Sequence, residues 1–511
     1  MNQFPWLTLM GAVPLLGAVV LWLLRGESKR LAKPIALGAS LVTLVLGVLA
    51  TARFDKDSTE KFQLVEQHRW IPQFGVSYAL GIDGIALALI LMSVILVPIC
   101  LIAAWRDLPE QQEGREPHYF ALMLVLETFM IGVFAATDVF LFYVFFEAML
   151  IPVYFLIGQF GGPRRQYAAM KFLLFSLAGG LIMLAAVITL YTLGPGGERG
   201  FLLTSLTGLG LSATTEKWLF LGFFLAFAVK APMVPVHTWL PDAAAESRPA
   251  TATMLVGVLD KVGTYGMIRF CLELFPGASQ WATPVVVVLA VVSIVYGALL
   301  AIGQTDIMRL IAFTSISHFG FIVLGIFAFT STSWAGSSLY MVNHGFTTAA
   351  LFLVAGMLIA RKGSKRIADF GGWQRVVPGL AGVWLIAGLS CISLPGLGSF
   401  VSEFLVLVGT FQRHQVLAVL ATTGIILAAL YILLMYQRMM TGDKPEDADD
   451  VPDVDGREKW VVVPLVALFI VLGFYPKPAL DVINPAVDTI LTSVSITDPA
   501  PAVLGAEGST K

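Results

Sequence analysis

Apolar residues fall into blocks of roughly 20, the length a helix needs to cross a hydrocarbon core about 30 Å thick. Such blocks cover residues 4–24, 34–52, 78–104, 118–137, 138–160, 168–193, 216–239, 250–272, 283–303, 307–328, 336–360, 378–411, 416–438 and 459–476. The pattern predicts an all-α polytopic membrane protein of about 14 transmembrane helices. The first block has neither a basic leader nor a small-residue cleavage site, and other spans follow it, so it reads as a retained helix.

Two blocks are interrupted, the seventh at KAPMVP (230–235) and the twelfth at SLPGLG (393–398). Proline removes an amide donor and frees carbonyls, so helices 7 and 12 are expected to be discontinuous near mid-membrane. The interruptions lie five blocks apart. Interrupted spans at matching positions of two halves point to inverted repeats around an ion site. The chain then divides into N-terminal helices 1–3 (1–117), a first inverted five-helix repeat of helices 4–8 (118–272), a second of helices 9–13 (273–440), and a cytoplasmic loop, helix 14 and tail (441–511). Similarity between the halves is weak, and the division rests on where the breaks and charges fall.

Charge then changes the picture from a membrane protein to a candidate charge carrier. Only 13% of the 511 residues are charged, against about 25% in soluble domains. Four of them, Glu147, Lys230, Lys261 and Glu403, sit inside blocks expected to cross the bilayer. One charge near the centre of a membrane helix costs about 2.5–3.5 kcal/mol, so four cost roughly 10–14 kcal/mol unless partners or water offset it. Residues so placed point to charge translocation.

The remaining charges set orientation and exclude other classes. Lys and Arg number about 20 in one set of alternate loops, including Arg25, Lys29, Arg30, Lys33, Arg164, Arg165, Arg361, Lys362, Lys365 and Arg366, and about 10 in the other. The basic side should be cytoplasmic, with both termini outward and the acidic stretch Glu446 to Asp455 a solvated cytoplasmic loop. The net charge of −2, without a basic stripe, gives no reason to expect a nucleic-acid partner. Cys100, Cys271 and Cys391 are far apart and offer neither a disulfide framework nor a CxxC site, so no Fe–S cluster or zinc is expected. HxxxH spacing is absent, and no metal site is expected.

Glu147 follows Asp138 by about nine residues, roughly 13 Å of helix, which puts it near the midplane. A nearby ammonium would hold it ionised, and moving that ammonium would move the proton. Lys230 sits immediately before the first break, where freed carbonyls and water can solvate it. It lies about twelve residues, roughly 18 Å, from Trp218, too far to snorkel. Lys261, about ten residues after Thr251, is placed similarly. Asp260 points about 100° away from its neighbour Lys261 and need not pair with it, so a packing role and a proton role are equally open. His237, His318 and His344 lie in or beside apolar spans; histidine titrates near neutrality and could bridge separated charges, or serve as a hydrogen-bonded structural residue. Glu127 and Lys171 are further candidates, Lys171 nearer the cytoplasmic interface. Glu403, just past the second break, reads as a terminal proton-bearing group or as a carboxylate at a helix N-terminus.

The runs DVFLFYVFFEAMLIPVYFLIG (138–158), VKAPMVPVHTWLPDA (229–243), DKVGTYGMIRF (260–270), QTDIMRLIAFTSISHFGF (304–321), NHGFTTAALFLVAG (343–356) and LPGLGSFVSEFLVL (394–407) resemble the antiporter-like membrane subunits of proton-pumping NADH:quinone oxidoreductase, respiratory complex I. The FEAMLIP form around Glu147 and glutamate rather than lysine at 403 favour the M type over the L and N types. The resemblance covers nearly the whole chain. It implies a 14-helix fold with two inverted repeats, Glu147 and Lys230 as a coupled pair, Lys261 as central relay and Glu403 in the outward half-channel. His237, His318, His344 and, less directly, Glu127 would support that relay. It also implies a bacterial plasma membrane setting, L and N subunits as partners, and FMN, Fe–S clusters and quinone in other subunits, with no cofactor in this chain. The wider family includes cation/proton antiporter subunits, which would exchange Na⁺ or K⁺ for protons; a purely structural spacer is a third reading. Three positions depart from many relatives: Ala244 for histidine, Met308 for lysine, and Asp260 for an apolar residue. A carboxylate at 260 would be placed to tune Lys261.

Overall fold

The computed structural model describes residues 4–108, 112, 114–446 and 450–499. The chain opens with α1 (Trp6–Leu23), α2 (Ala32–Arg53), an antiparallel hairpin of β1 (Gln63–Ile71) and β2 (Val76–Ile82), α3 (Gly84–Ala103) and α4 (Glu116–Ala135). Next come α5 (Val139–Ala148), α6 (Leu150–Phe160), α7 (Arg165–Leu193), the four-residue α8 (Leu203–Leu206) and α9 (Ala213–Lys230). Shorter pieces follow: α10 (Trp239–Glu246), α11 (Pro249–Met254) and α12 (Lys261–Gly266). The second half runs α13 (Pro276–Ile302), α14 (Ile307–Phe327), α15 (Ser331–Lys362), α16 (Pro378–Cys391), α17 (Gly398–Phe411), α18 (Gln415–Met440), α19 (Gly456–Phe474) and α20 (Lys477–Ser493).

Aspartates start several of these helices where apolar sequence resumes. The carboxylates of Asp83, Asp138, Asp306 and Asp455 accept from backbone N–H groups in the first turns of α3, α5, α14 and α19, satisfying donors a helix end leaves open. The expected third block therefore begins late. Residues 76–82 form β2, and the helix starts only after Asp83. The hairpin is the one sheet among the described residues.

Ten helices among the described residues are long and apolar enough to cross a membrane, and α19, which meets α20 at a 67° bend, makes eleven. The other three expected spans are the interrupted ones: α9 with α10, the α11 to α12 stretch, and α16 with α17. Fourteen is reached only by counting each of these as a span. An interruption in regular helix, unforeseen in the sequence, separates α5 from α6 at Met149, within a single span. The apolar window of α14 is wholly buried, against 33% of those of α1 and α18. The centre of the bundle is thus built on α14 and α15, and it is these helices that carry His318 and His344.

The acidic stretch is not the free loop expected from its charge. Residues 447–449 lie outside the described residues, but Asp453 accepts from the N–H groups of Gly379 at 2.7 Å and Leu380 at 3.0 Å, capping α16. Arg361 reaches the Pro452 and Asp453 carbonyls and makes a two-pronged contact with Glu458. The Glu458 N–H and the nearby Arg457 and Arg106 hold the Asp455 carboxyl below its usual range, outweighing slight burial.

At the expected outer end of the eighth span, Arg269 is buried between Asp83 and Glu273, and Glu273 also takes Lys61 from beside the hairpin. This staple ties the hairpin, the start of α3 and the eighth span together. Removing one member of a buried ion network leaves its partners uncompensated, at a cost of about 3–5 kcal/mol. Arg269→Ala is expected to lower the aggregation temperature of the assembled protein in membranes, with Arg269→Lys intermediate; an unchanged temperature for the alanine variant would show that the staple is dispensable.

Candidate functional site

Two breaks and one π turn place the ionisable groups. At the first break Pro232 has no N–H for the Ala228 carbonyl, so Met233 N–H reaches back to it at 2.9 Å; the Val229 carbonyl accepts from the Trp239 indole at 2.9 Å. These two carbonyls thereby have donors other than Lys230. The Lys230 ammonium, expected to be solvated by them, instead lies over the rings of Phe146 at 5.0 Å and Phe172 at 5.8 Å, with no hydrogen-bond partner among the described residues. Cation–π contact of this kind stabilises a desolvated ammonium by about 2 kcal/mol, well short of replacing its hydration.

Glu147, at the end of α5, is partly exposed on the side of the bundle, and its Oε1 has no partner among the described residues. It makes no ion pair with Lys230, so the pair that the resemblance implies is electrostatic rather than a contact. Its room comes from α7. A Cβ added at Gly180 would lie 1.6 Å from Glu147 Oε1, and one at the preceding Gly179 would lie 3.1 Å from the Ala226 Cα. A side chain at Gly180 would displace the Glu147 carboxylate, and one at Gly179 would tighten the contact with α9.

In the eighth span, residues 255–259 form a π turn in which the Asp260 N–H bonds back to the Leu255 carbonyl at 3.1 Å. Such widened turns are frequent at functional sites. Here the Lys261 ammonium folds back to the Val256 carbonyl at 2.7 Å and meets His344 Nδ1 at 2.7 Å. It also lies 5.2 Å from the Phe319 ring centroid. From His344 the polar contacts continue into the second half. His344 Nε2 meets Thr348 Oγ1 at 3.1 Å, and its ring centroid is 5.4 Å from that of His318. His318 Nδ1 meets the Tyr340 hydroxyl at 2.6 Å, and that hydroxyl donates to Glu403 Oε2 at 2.8 Å.

The second break completes this arm. Ser393 adopts φ = 56°, a left-handed conformation costly for a residue with a Cβ, and its hydroxyl donates to the same Glu403 oxygen. Asn343 donates to the Gly398 carbonyl at 2.6 Å and pins the start of α17 to α15. Glu403 is thus a buried carboxylate held by two hydroxyls, and the interfacial reading at a helix terminus does not describe it.

Other candidates lie apart from this line. Glu127 is fully buried but faces α2, where Ser40 donates to it at 3.1 Å, and its other oxygen has no partner among the described residues. His237 follows the first break, its ring 5.2 Å from that of Tyr296, with Nδ1 unpartnered among the described residues. Lys171 bonds to Asp242 at 2.6 Å, and Arg309 joins them from α14. Glu246 beside Asp242 faces Lys365 at 3.7 Å. This cluster anchors α10 on the expected cytoplasmic side.

Tyr340, Ser393 and Thr348 were not singled out by the sequence. A signal was there: Tyr340, His344 and Thr348 recur at i, i+4 and i+8, one polar stripe along an apolar helix. Ser393 offered none beyond its place in the break, because its role depends on a backbone angle.

Residues 136–428 match the family described as NADH:quinone oxidoreductase/Mrp antiporter, TM. The chain is 50% identical over 536 residues to NADH-quinone oxidoreductase subunit M of Mycobacterium tuberculosis, covering 98% of this chain and 97% of that protein. Subunit M of Rhodobacter capsulatus is 39% identical, over 94% of this chain and 95% of its own. A chain in a structure of respiratory complex I from Thermus thermophilus superposes with a TM-score of 0.86 at 30% identity, covering 96% of this chain and 99% of that one. A chain of the Mrp complex from Dietzia sp. superposes with a TM-score of 0.84 at 22% identity, over 97% of this chain and all of that one, a likeness of fold alone.

The close approach of Gly180 to Glu147 gives a test that keeps the carboxylate but moves it. Gly180→Ala is expected to displace Glu147 and to depress proton uptake into inverted vesicles in the same direction as Glu147→Gln, with the complex assembled. Uptake equal to that of the unsubstituted protein would mean that the position of the carboxylate does not matter.

Proposed function

The chain belongs to the NADH:quinone oxidoreductase/Mrp antiporter membrane-subunit family, and from that membership we propose that it is the M-type, proton-translocating subunit of a complex I membrane arm. The observation that carries this reading is the line Lys261, His344, His318, Tyr340, Glu403, whose members are buried and bonded to one another except between the two histidine rings. Each member can both give and take a proton. A proton leaving the Lys261 ammonium has His344 Nδ1 as its acceptor, His318 lies at ring-contact distance beyond, and the Tyr340 hydroxyl hands the last step to Glu403. Glu147 and Lys230 form the other end, where loss or gain of the neighbouring charge changes the cost of the ammonium in the membrane.

In this reading quinone reduction elsewhere in the complex drives the changes in charge. FMN, Fe–S clusters and quinone belong to other subunits, and the neighbours in the arm are the L and N types. The two discontinuous stretches belong to inverted repeats of helices 4–8 and 9–13, in a bacterial plasma membrane with both termini outward. The second reading, a subunit exchanging Na⁺ or K⁺ for protons, draws on the Mrp fold likeness. The relatives at 50% and 39% identity favour the first.

Lys230→Ala in native membranes tests the proposal through NADH-dependent quinone reduction and proton uptake measured together. Both are expected to collapse while the complex still assembles. If both survive intact, the chain does not carry the coupled proton through this lysine and the structural-spacer reading returns.

A further inference from the structure

The polar contacts that run from Glu403 back to Lys261 stop there, and Lys230 begins again on the other side of a gap with no hydrogen bond across it among the described residues. Asp260, next to Lys261 in the chain, interacts electrostatically with both lysines. It is 0% exposed, and neither carboxyl oxygen has a hydrogen-bond partner among the described residues. Burial of a carboxyl with nothing bonded to it costs several kcal/mol, which a packing role does not account for.

Two features of the backbone bring the face that bears Asp260 toward the end of α9, where Lys230 lies. Gly263, three residues on and therefore on the same helix face, is pressed against the end of α9: a Cβ there would lie 2.6 Å from both the Phe227 carbonyl oxygen and the Ala231 nitrogen. Gly266, one turn further, would meet the Phe227 ring at 2.4 Å. The face of the eighth span that bears Asp260 is thus the one in contact with the first break. The π turn supplies the second feature, because Lys261 folds away from that face to Val256 and His344. Adjacent residues consequently serve opposite halves of the molecule, and Asp260 lies within electrostatic reach of both Lys230 and Lys261.

We propose that Asp260 is a proton-carrying station that joins Lys230 to Lys261. The Lys230 ammonium gives a proton to the Asp260 carboxylate, leaving a neutral amine and a neutral acid. The acid then gives that proton to the Lys261 amine, restoring the carboxylate and forming the second ammonium. One N–H bond breaks, one O–H bond forms and breaks, and one N–H bond forms. The intermediate state is uncharged at both groups, which lowers the cost of crossing an apolar gap. This rests on the proton-translocating reading above and adds the residue that connects its two arms.

The test uses the assembled complex in native membranes, with Asp260→Asn, which keeps shape and removes the proton site, Asp260→Leu, which makes the position apolar, and Asp260→Glu. Proton uptake and coupled quinone reduction are expected to fall roughly tenfold or more in the first two, the scale of losing a positioned proton carrier, and to be largely retained with glutamate. A packing role would instead favour leucine or asparagine over the longer glutamate. Asn or Leu variants that pump normally while Lys230→Ala does not would overturn the assignment of Asp260 alone. Normal pumping in Lys230→Ala as well would overturn the reading beneath it.

Discussion

An ion inside an apolar slab must find a partner, lose its charge or stay where water reaches it, and the arrangement of this chain follows from how that demand is met differently in its two halves. Along the line from Lys261 to Glu403 the answer is contact. Lys261 is bonded to a carbonyl and an imidazole, and Glu403 to two hydroxyls. In the first half the answer is incomplete. Glu147 Oε1, Lys230 Nζ and both Asp260 oxygens have no hydrogen-bond partner among the described residues. A half held at high cost by unpartnered charges is the half whose protonation a modest outside influence can change.

The irregular backbone is what allows both answers. Each break replaces regular helix bonds with side-chain contacts: Trp239 to the Val229 carbonyl at one, Asn343 to the Gly398 carbonyl at the other. Non-helical backbone at membrane depth is tolerated only where it is buried in protein or lines a cavity, and both breaks sit against central helices. The π turn before Asp260 has the same effect on a smaller scale, sending two neighbouring side chains to different sides. Around this centre the polar ends are clamped by ion networks, Arg269 with Asp83 and Glu273 at one end and Asp242 with Lys171 and Arg309 at the other.

Much of this was legible in the sequence. Apolar block length gave the spans, proline gave the two breaks, and a charge in an apolar block marked Glu147, Lys230, Lys261 and Glu403 as residues requiring an explanation. What block length does not encode is how a helix deviates within its span. The interruption at Met149, the π turn before Asp260 and the strand preceding Asp83 each depend on which neighbour offers a partner, and a hydropathy pattern is blind to that. Hydropathy was equally blind to the carbonyls of Ala228 and Val229, which Met233 and Trp239 reach in place of Lys230. Glu127 shows the converse: a buried carboxylate signals a cost to be met, but only packing tells that it faces α2.

The central claim is that protons move along the buried line ending at Glu403. The most direct measurement is proton uptake into inverted vesicles, per quinone reduced by NADH, for Glu403→Gln in the assembled complex. Glutamine keeps the Tyr340 and Ser393 contacts within reach while removing the ionisable site. The account predicts that uptake and quinone reduction are both strongly depressed relative to the unsubstituted protein. Full uptake at a normal rate of quinone reduction would contradict it, because the line would then carry protons without its terminal acid.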